Sequence, residues 1–393
     1  MATKRANGEG SIVKNIRNGV QIGWRASISI GRDEKGKLIR KQFTGKTQKE
    51  VKEKLDIYRT KMLLGSIVSA DKITFEDWFY TWLFDYRAKD LKPKSFERYE
   101  GIYRNYIKDT ELGKIKLIDL RATHIQRYYN KLIDVYNKPA STIITLNTRL
   151  KPCLTEAEKQ GYIQKNYCKM VTLPSDNKIK EVQILSITDQ KKFIDSIDGD
   201  KFEILFLLAL STGGLRLGEL LGLKWSDISF DDESLTVNRT LQRVTEINKD
   251  GTREKKVIEQ YPKTKNSIRT VPIPRNILVK LKKHKIQQTE QRLLLGDAYI
   301  NNNYVICNDT GLALNNNRPG KILDSLLKKL NIPKIKFHAL RHTYATRLFE
   351  AGVPPKTVQT LMGHYDISIT MDIYTHVMHN TKQDAVDKIN DIF

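Results

Sequence analysis

Arg216 lies in the stretch STGGLRLGELLGLKW, directly after a Gly-Gly loop and at the start of a Leu-rich helix, with Glu219 three residues on. An i,i+3 pair shares a helix face, so the carboxylate can orient the guanidinium rather than leave it to wander. Lys263 and Lys265 sit in YPKTKNSIRTVPIP, on or beside a β-turn, where a flexible ammonium could swing into a site. His338 and Arg341, again three apart, belong to FHALRHTYATRLF, and LMGHYDISITMDIYTHV supplies His364 with Tyr374 ten residues later. Two forked guanidinium groups can hold the non-bridging oxygens of a phosphodiester and stay charged at any working pH. Histidines can donate to the phosphate or move a proton, and a lysine can protonate a departing alkoxide. A tyrosine hydroxyl can attack phosphorus if nearby cations stabilise its phenolate. Such a set needs no metal, because the arginines offset the charge that builds in the transition state.

A metal site is the rival reading, since five of the seven histidines fall after residue 337. His338 and His342 have the HxxxH spacing that puts two imidazoles on one helical face. The peptidase form requires a glutamate directly after the first histidine; that residue is Ala339, and no acidic third ligand follows at the usual distance. The expectation is therefore no metal and no cofactor.

Three segments must position these residues. In residues 1–68, an Asn18-Gly19 turn separates alternating stretches, the turn DEKG follows at 33–36, KLIRKQFTG forms a third strand, and a helix runs from about Thr47 to Leu63. The segment holds sixteen Lys/Arg against six Asp/Glu, so a small three-stranded sheet with a basic face, Arg25 included, suits a DNA groove. Residues 72–172 read as a helical bundle, with apolar and aromatic residues at three- and four-residue spacing and with Pro93 and Pro139 marking helix starts. Trp78, Phe79, Trp82, Tyr99, Tyr103 and Tyr106 are expected in the bundle core, while Lys92, Lys94, Arg98 and Arg104 could face phosphates. A polar linker spans 173–184, and residues 185–393 form a mainly α domain with a small antiparallel sheet. Its strands are expected in SLTVNRTLQRVT and IRTVPIP, and its helices near 274–292, 320–330, 338–350 and 354–362. In the tail QDAVDKINDIF, Val386, Ile389 and Ile392 recur at three-residue spacing and would pack on their own domain or on a neighbouring protomer. The fold class is multidomain α+β.

Bulk properties agree with a polyanion as partner. The net charge is +23 over 393 residues, and a protein this basic neutralises nucleic acid more often than a membrane surface. No run of eighteen apolar residues exists, the N-terminus lacks a secretory signal core, and Cys153, Cys168 and Cys307 show no CxxC spacing. The expected location is a reducing cytoplasm.

GLRLGEL, the turn lysine in PKTK, HALRHTYAT, LMGH and DIYTHV, in this order, resemble the tyrosine recombinase, or phage integrase, family. The resemblance runs along the whole chain and points to integrases of temperate phages or conjugative transposons of Gram-positive bacteria. It implies an arm-binding domain, a helical core-binding domain and a catalytic domain that integrates and excises a mobile element through a 3′-phosphotyrosyl intermediate. Carried over position by position, Tyr374 is the nucleophile, Arg216, Arg341 and His364 hold the phosphate, and His338 helps deprotonate the tyrosine. Lys263 protonates the leaving 5′-oxygen, and Glu219 supports Arg216. Spacing alone does not separate Lys263 from Lys265; the resemblance favours Lys263. It further implies double-stranded attachment sites, a tetramer on DNA, a Holliday-junction intermediate and, as accessory partners to consider, an excisionase and a host DNA-bending protein. A regulator that has lost catalysis and a type IB topoisomerase are the alternatives. The chain departs from the family pattern at Thr212-Gly213-Gly214-Leu215-Arg216, which carries an additional glycine that the loop either absorbs or passes on as a shift of Arg216.

Overall fold

The computed structural model describes residues 10–17, 19–32, 37–63, 73–175, 183–261 and 268–377. Asn18, the turn at 33–36, Lys263, Lys265 and the tail at 383–393 lie outside them. The chain divides into two compact units, 1–177 and 178–393.

The first unit begins with β1 (Ser11–Arg17), β2 (Val20–Arg32) and β3 (Leu38–Gly45), antiparallel in that order, followed by α1 (Gln48–Leu63). Because strand side chains alternate, Ile12, Trp24, Ala26, Ile28 and Phe43 form one face and pack on Val51, Leu55 and Tyr58 of α1. Arg25, paired in register with Val13 and Thr44, stands on the other face and is exposed. This is the sheet-plus-helix arrangement that the turn signals predict.

The helices α2 (Phe75–Thr81), α3 (Pro93–Ile102), α4 (Ala122–Asp134) and α5 (Ala140–Lys159) follow, and α2 runs on into a wide π-helical turn at Trp82–Arg87. Thr74 and Asp77 open α2 as a reciprocal cap, at 3.2 Å in each direction. Trp78, Phe79, Trp82 and Tyr99 are buried as expected, and the Trp78 Nε1–H donates to the Cys153 carbonyl at 3.2 Å. Tyr103 and Tyr106 are only half-buried, at the edge of this core.

In the second unit, α6 (Ile187–Ser196) leads to α7 (Glu203–Ser211), whose sequence is apolar on every side; Ile204 through Leu210 are all buried. A helix hydrophobic all round must be covered all round, and α7 packs against α9 (Arg275–Leu295) and α11 (His338–Glu350). After α7 come α8 (Leu217–Leu221), β4 (Ile228–Ser229), β5 (Ser234–Val237), β6 (Thr240–Ile247), β7 (Arg253–Gln260) and β8 (Arg269–Pro272). The strands form not one small sheet but two: β4-β5-β8, and a ribbon of β6 and β7. The stretch read as SLTVNRTLQRVT breaks at Asn238–Arg239, where Arg239 ion-pairs with buried Asp227 and the Asn238 amide donates to it at 3.1 Å. That anchor turns the chain out of the first sheet. The helices α10 (Arg318–Lys329), α12 (Pro355–Met362) and α13 (Ile367–Val377) complete the unit, and α13 lies against both α11 and α12.

Candidate active site

Two consecutive left-handed residues carry the chain from α7 into α8: Gly213 at φ +56° and Gly214 at φ +52°. A Cβ on Gly213 would come within 2.9 Å of Val271 Cγ1 of β8, and one on Gly214 within 3.0 Å of the Tyr344 ring of α11. Both positions therefore require glycine, for conformation and for space. Both glycines lie in the loop between α7 and α8, and Arg216 stands at the cap of α8. Its backbone N–H donates to Glu219 Oε2 at 2.9 Å and its Nη1 to Glu219 Oε1 at 2.7 Å. Glu219 thus closes the helix start and aims the guanidinium in one step.

Glu219 has a second cationic partner that the sequence reading passed over. Arg269 of β8 donates from Nη2 to Glu219 Oε2 at 2.9 Å, and both side chains are buried. Burial would push the Glu219 carboxyl up, but Arg269 and then Arg216 more than offset it and hold the group below its ordinary range. The signal was in IRTVPIP: Arg269, Val271 and Ile273 alternate onto one buried face, and an arginine in register with two core residues needs a buried anion or carbonyl.

Arg341 comes from the first turn of α11 and is almost wholly buried. Its Nη1 donates to the Gly214 carbonyl and its Nη2 to the Met362 carbonyl, the latter at 2.7 Å. Burial, with Arg216 close by, presses its guanidinium well below the usual arginine range, though it stays charged at neutral pH. The three arginines divide the end of α12 among them. Arg269 Nε donates to the Leu361 carbonyl at 2.9 Å, Arg341 to Met362, and Arg216 Nη2 to Gly363 at 3.2 Å. The last carbonyls of a helix lack intrahelical partners and carry its negative dipole end, so three cations there are favourable. Gly363, at φ +63°, ends α12 in the left-handed conformation and delivers His364 beside this cluster.

His364 Nδ1 is hydrogen-bonded to the buried Thr370 hydroxyl of α13 at 2.8 Å, which orients the ring and leaves Nε2 for another partner. Burial and the Arg341 and Arg216 charges drive its pKa down to about 3. His338 is lowered by burial and the same two arginines. Its ring meets that of His342 edge-on at 4.9 Å, and His342 falls to about 4 through burial, His338 and Arg341. All three imidazoles are thus neutral at pH 7 in a setting with surplus positive charge. Among the described residues no group of three or more His, Cys, Asp or Glu could hold a metal ion.

Tyr374 projects from α13, half-buried, its ring edge-on to Phe349 of α11 at 5.2 Å. Among the described residues its hydroxyl has no hydrogen-bond partner, so packing fixes the ring and leaves the oxygen unengaged. Arg216, Glu219, His338, Arg341 and His364 form one cluster, and Tyr374 stands on the neighbouring helix. Of the proposed DNA contacts, Lys94 is ion-paired with Glu97 at 2.7 Å, Lys92 precedes α3 half-buried, and Arg98 is exposed.

Residues 181–381 match the profile of the phage integrase family, and residues 74–133 match its N-terminal SAM-like domain. A tyrosine recombinase XerC-like protein of Caldanaerobacter subterraneus subsp. tengcongensis is 45% identical over 386 residues, 96% of this chain and 98% of that protein. The chain belongs to the phage integrase family. As a member of it, the protein is a tyrosine-type site-specific DNA recombinase. Among solved structures, the Tn1549 transposon integrase in complex with circular-intermediate DNA superposes at a TM-score of 0.65. It is 22% identical, with 81% of this chain and all of that chain covered. A lambda integrase tetramer bound to a Holliday junction superposes at 0.53, 18% identical, over 90% of this chain and 96% of that one. Both share its multidomain α+β fold.

Proposed function

We propose that Tyr374 cleaves one strand of an attachment site and holds its 3′ end while a partner strand is exchanged. The phosphate enters the cluster of Arg216, Arg341 and His364. Arginine donors now spent on the Gly214, Met362 and Gly363 carbonyls can turn to its non-bridging oxygens. Neutral His338 accepts the Tyr374 proton, the new bond joins the phenolic oxygen to phosphorus, and the bond to the 5′-oxygen breaks. Lys263 supplies the proton to that oxygen. Attack by the 5′-hydroxyl of the partner strand reverses the step, so bond energy is conserved and no nucleotide cofactor is consumed.

The single observation that carries this reading is the cluster's charge: three guanidinium groups stand around one buried carboxylate, and the surrounding imidazoles are pushed toward their neutral form. The carboxylate ion-pairs with Arg216 and Arg269, while Arg341 donates to the Gly214 and Met362 carbonyls. An anion is what the site lacks. Residues 1–68 would read arm sites through the Arg25 face of the sheet, 72–172 the core site, and 185–393 would carry the chemistry, after a linker at 173–184. Four protomers would act on two sites through a Holliday junction, integrating and excising a mobile element in the bacterial cytoplasm, with an excisionase and a host bending protein as candidate assistants.

The test is a nicked duplex carrying the element's recovered junction sequence. Trapped protein–DNA adduct on a denaturing gel supports the recombinase mechanism. Sequence-specific binding without adduct, with every substrate geometry tried, would replace it with a catalytically silent regulator.

A further inference from the structure

Arg269 has no place in the mechanism above, yet it joins the carboxylate of the cluster to the end of α12. It is buried, with Nη2 on Glu219 at 2.9 Å and Nε on the Leu361 carbonyl at 2.9 Å. Its Nη1 has no hydrogen-bond partner among the described residues and lies against Gly363, where a Cβ would stand 3.0 Å from it. The plane of one guanidinium therefore fixes the carboxylate that aims Arg216 relative to the turn that presents His364. Arg216 is 41% exposed and can reach a ligand, whereas Arg269 is 6% exposed behind the pair. Arg269 also opens β8, six residues after Lys263, so it anchors the strand onto which the lysine segment leads.

We propose that Arg269 is a positioning residue for strand cleavage: it locks Glu219, and through it Arg216, to the C-terminal turn of α12 that carries His364. The proposal rests on the recombinase reading of the site. Lysine cannot replace it. A single ammonium on a flexible stem cannot serve a carboxylate and a carbonyl from two edges of one rigid plane. Removing the charge has a second effect. The groups facing Glu219 are Arg216 from its own helix start, Arg269 from β8 and Arg341 from α11, and Arg269 is the strongest of those holding its carboxyl down. Without it the carboxylate takes up a proton at higher pH and releases Arg216.

The experiment compares full-length wild type, Arg269→Lys, Arg269→Gln and Gly363→Ala on the nicked junction duplex. Single-turnover adduct rates are taken per DNA-binding-competent molecule, so that misfolded protein does not enter the rate. Binding affinity should stay near that of wild type. The adduct rate should fall about 100-fold for Arg269→Gln, and about ten-fold or more for Arg269→Lys and Gly363→Ala, the scale of a small displacement of a phosphate-holding group. The acid limb of the pH–rate profile should move to higher pH for Arg269→Gln and stay in place for Arg269→Lys. A wild-type rate in either Arg269 variant, or a rate loss with no shift of the acid limb in Arg269→Gln, would overturn the positioning role. Wild type that binds but forms no adduct would instead overturn the recombinase reading, and the proposal with it.

Discussion

The glycine pair before Arg216 gives a prediction whose magnitude follows from geometry. An alanine at Gly213 or Gly214 must adopt φ near +55°, which costs about 1–2 kcal/mol for an L side chain. At Gly213 the new methyl also meets three Val271 atoms at 2.9 to 3.1 Å, on a buried stretch of strand whose position is fixed by pairing with β5. Overpacking of that kind adds about 1–3 kcal/mol. Gly213→Ala should therefore destabilise the second unit by about 2–5 kcal/mol, a fall in Tm on the order of 10 °C for a unit of this size. At Gly214 the closest contact is the edge of the Tyr344 ring at 3.0 Å, with Arg341 Cγ at 3.3 Å. The ring can give slightly, so the loss of stability should be smaller. The loss of activity should be larger, because the Gly214 carbonyl holds Arg341 Nη1 and moves with the strained residue. Gly101 is the control: it lies in α3 with open space around it, and Gly101→Ala should stabilise the first unit by about 0.5–1 kcal/mol without touching cleavage. The assays are thermal unfolding by circular dichroism and single-turnover adduct formation. Equal Tm losses at 213 and 214, or wild-type cleavage by Gly214→Ala, would refute the reasoning.

Other consequences concern the charges. Glu219→Gln leaves Arg216 and Arg269 without their buried counter-ion, so stability should fall by about 3–5 kcal/mol and adduct formation should be lost while DNA binding persists in a mobility-shift assay. The three site histidines have folded-state pKa values below the unfolded value of about 6.5, down to about 4 for His342 and about 3 for His364. Below pH 6.5 the unfolded chain takes up protons that the folded chain refuses, so stability should decline as pH falls from 6.5 toward 4. Phosphate in the site offsets the arginine charges and raises these pKa values. Calorimetry at pH 5.5 in buffers of differing ionisation enthalpy should therefore register proton uptake on DNA binding, and proton release would contradict the electrostatic account.

Much of this was legible in the sequence for physical reasons. The strands of the first sheet were marked by glycine turns and alternation, and the bundle helices by aromatic spacing, because local periodicity specifies both. The contact between Arg216 and Glu219 was legible from their three-residue spacing, although the fold makes it as a cap on α8, with Arg216 in extended backbone, and not as a pair on one helix face. The alternation in IRTVPIP signals that Arg269 is buried, but the partners of Arg269 and of Thr370 were not legible. Each is defined by a partner far along the chain, Glu219 and Leu361 for one and His364 for the other, and strand or helix periodicity says nothing of such pairings. The splitting of the second-unit strands into two sheets was hidden for the same reason: it depends on Asp227 capturing Asn238 and Arg239. The double glycine looked from sequence like a disturbance. In the fold it lets Val271 and Tyr344 approach the backbone and sets the carbonyl that holds Arg341.

The most direct test of the central claim is to digest the trapped adduct, sequence the DNA-linked peptide by mass spectrometry, and label the DNA ends. The account predicts a phosphate on Tyr374, linked to the 3′ end of the cleaved strand, with a free 5′-hydroxyl on the other side and no adduct from Tyr374→Phe. Attachment through any other residue, a 5′-phosphotyrosyl link, or undiminished adduct from Tyr374→Phe would contradict it.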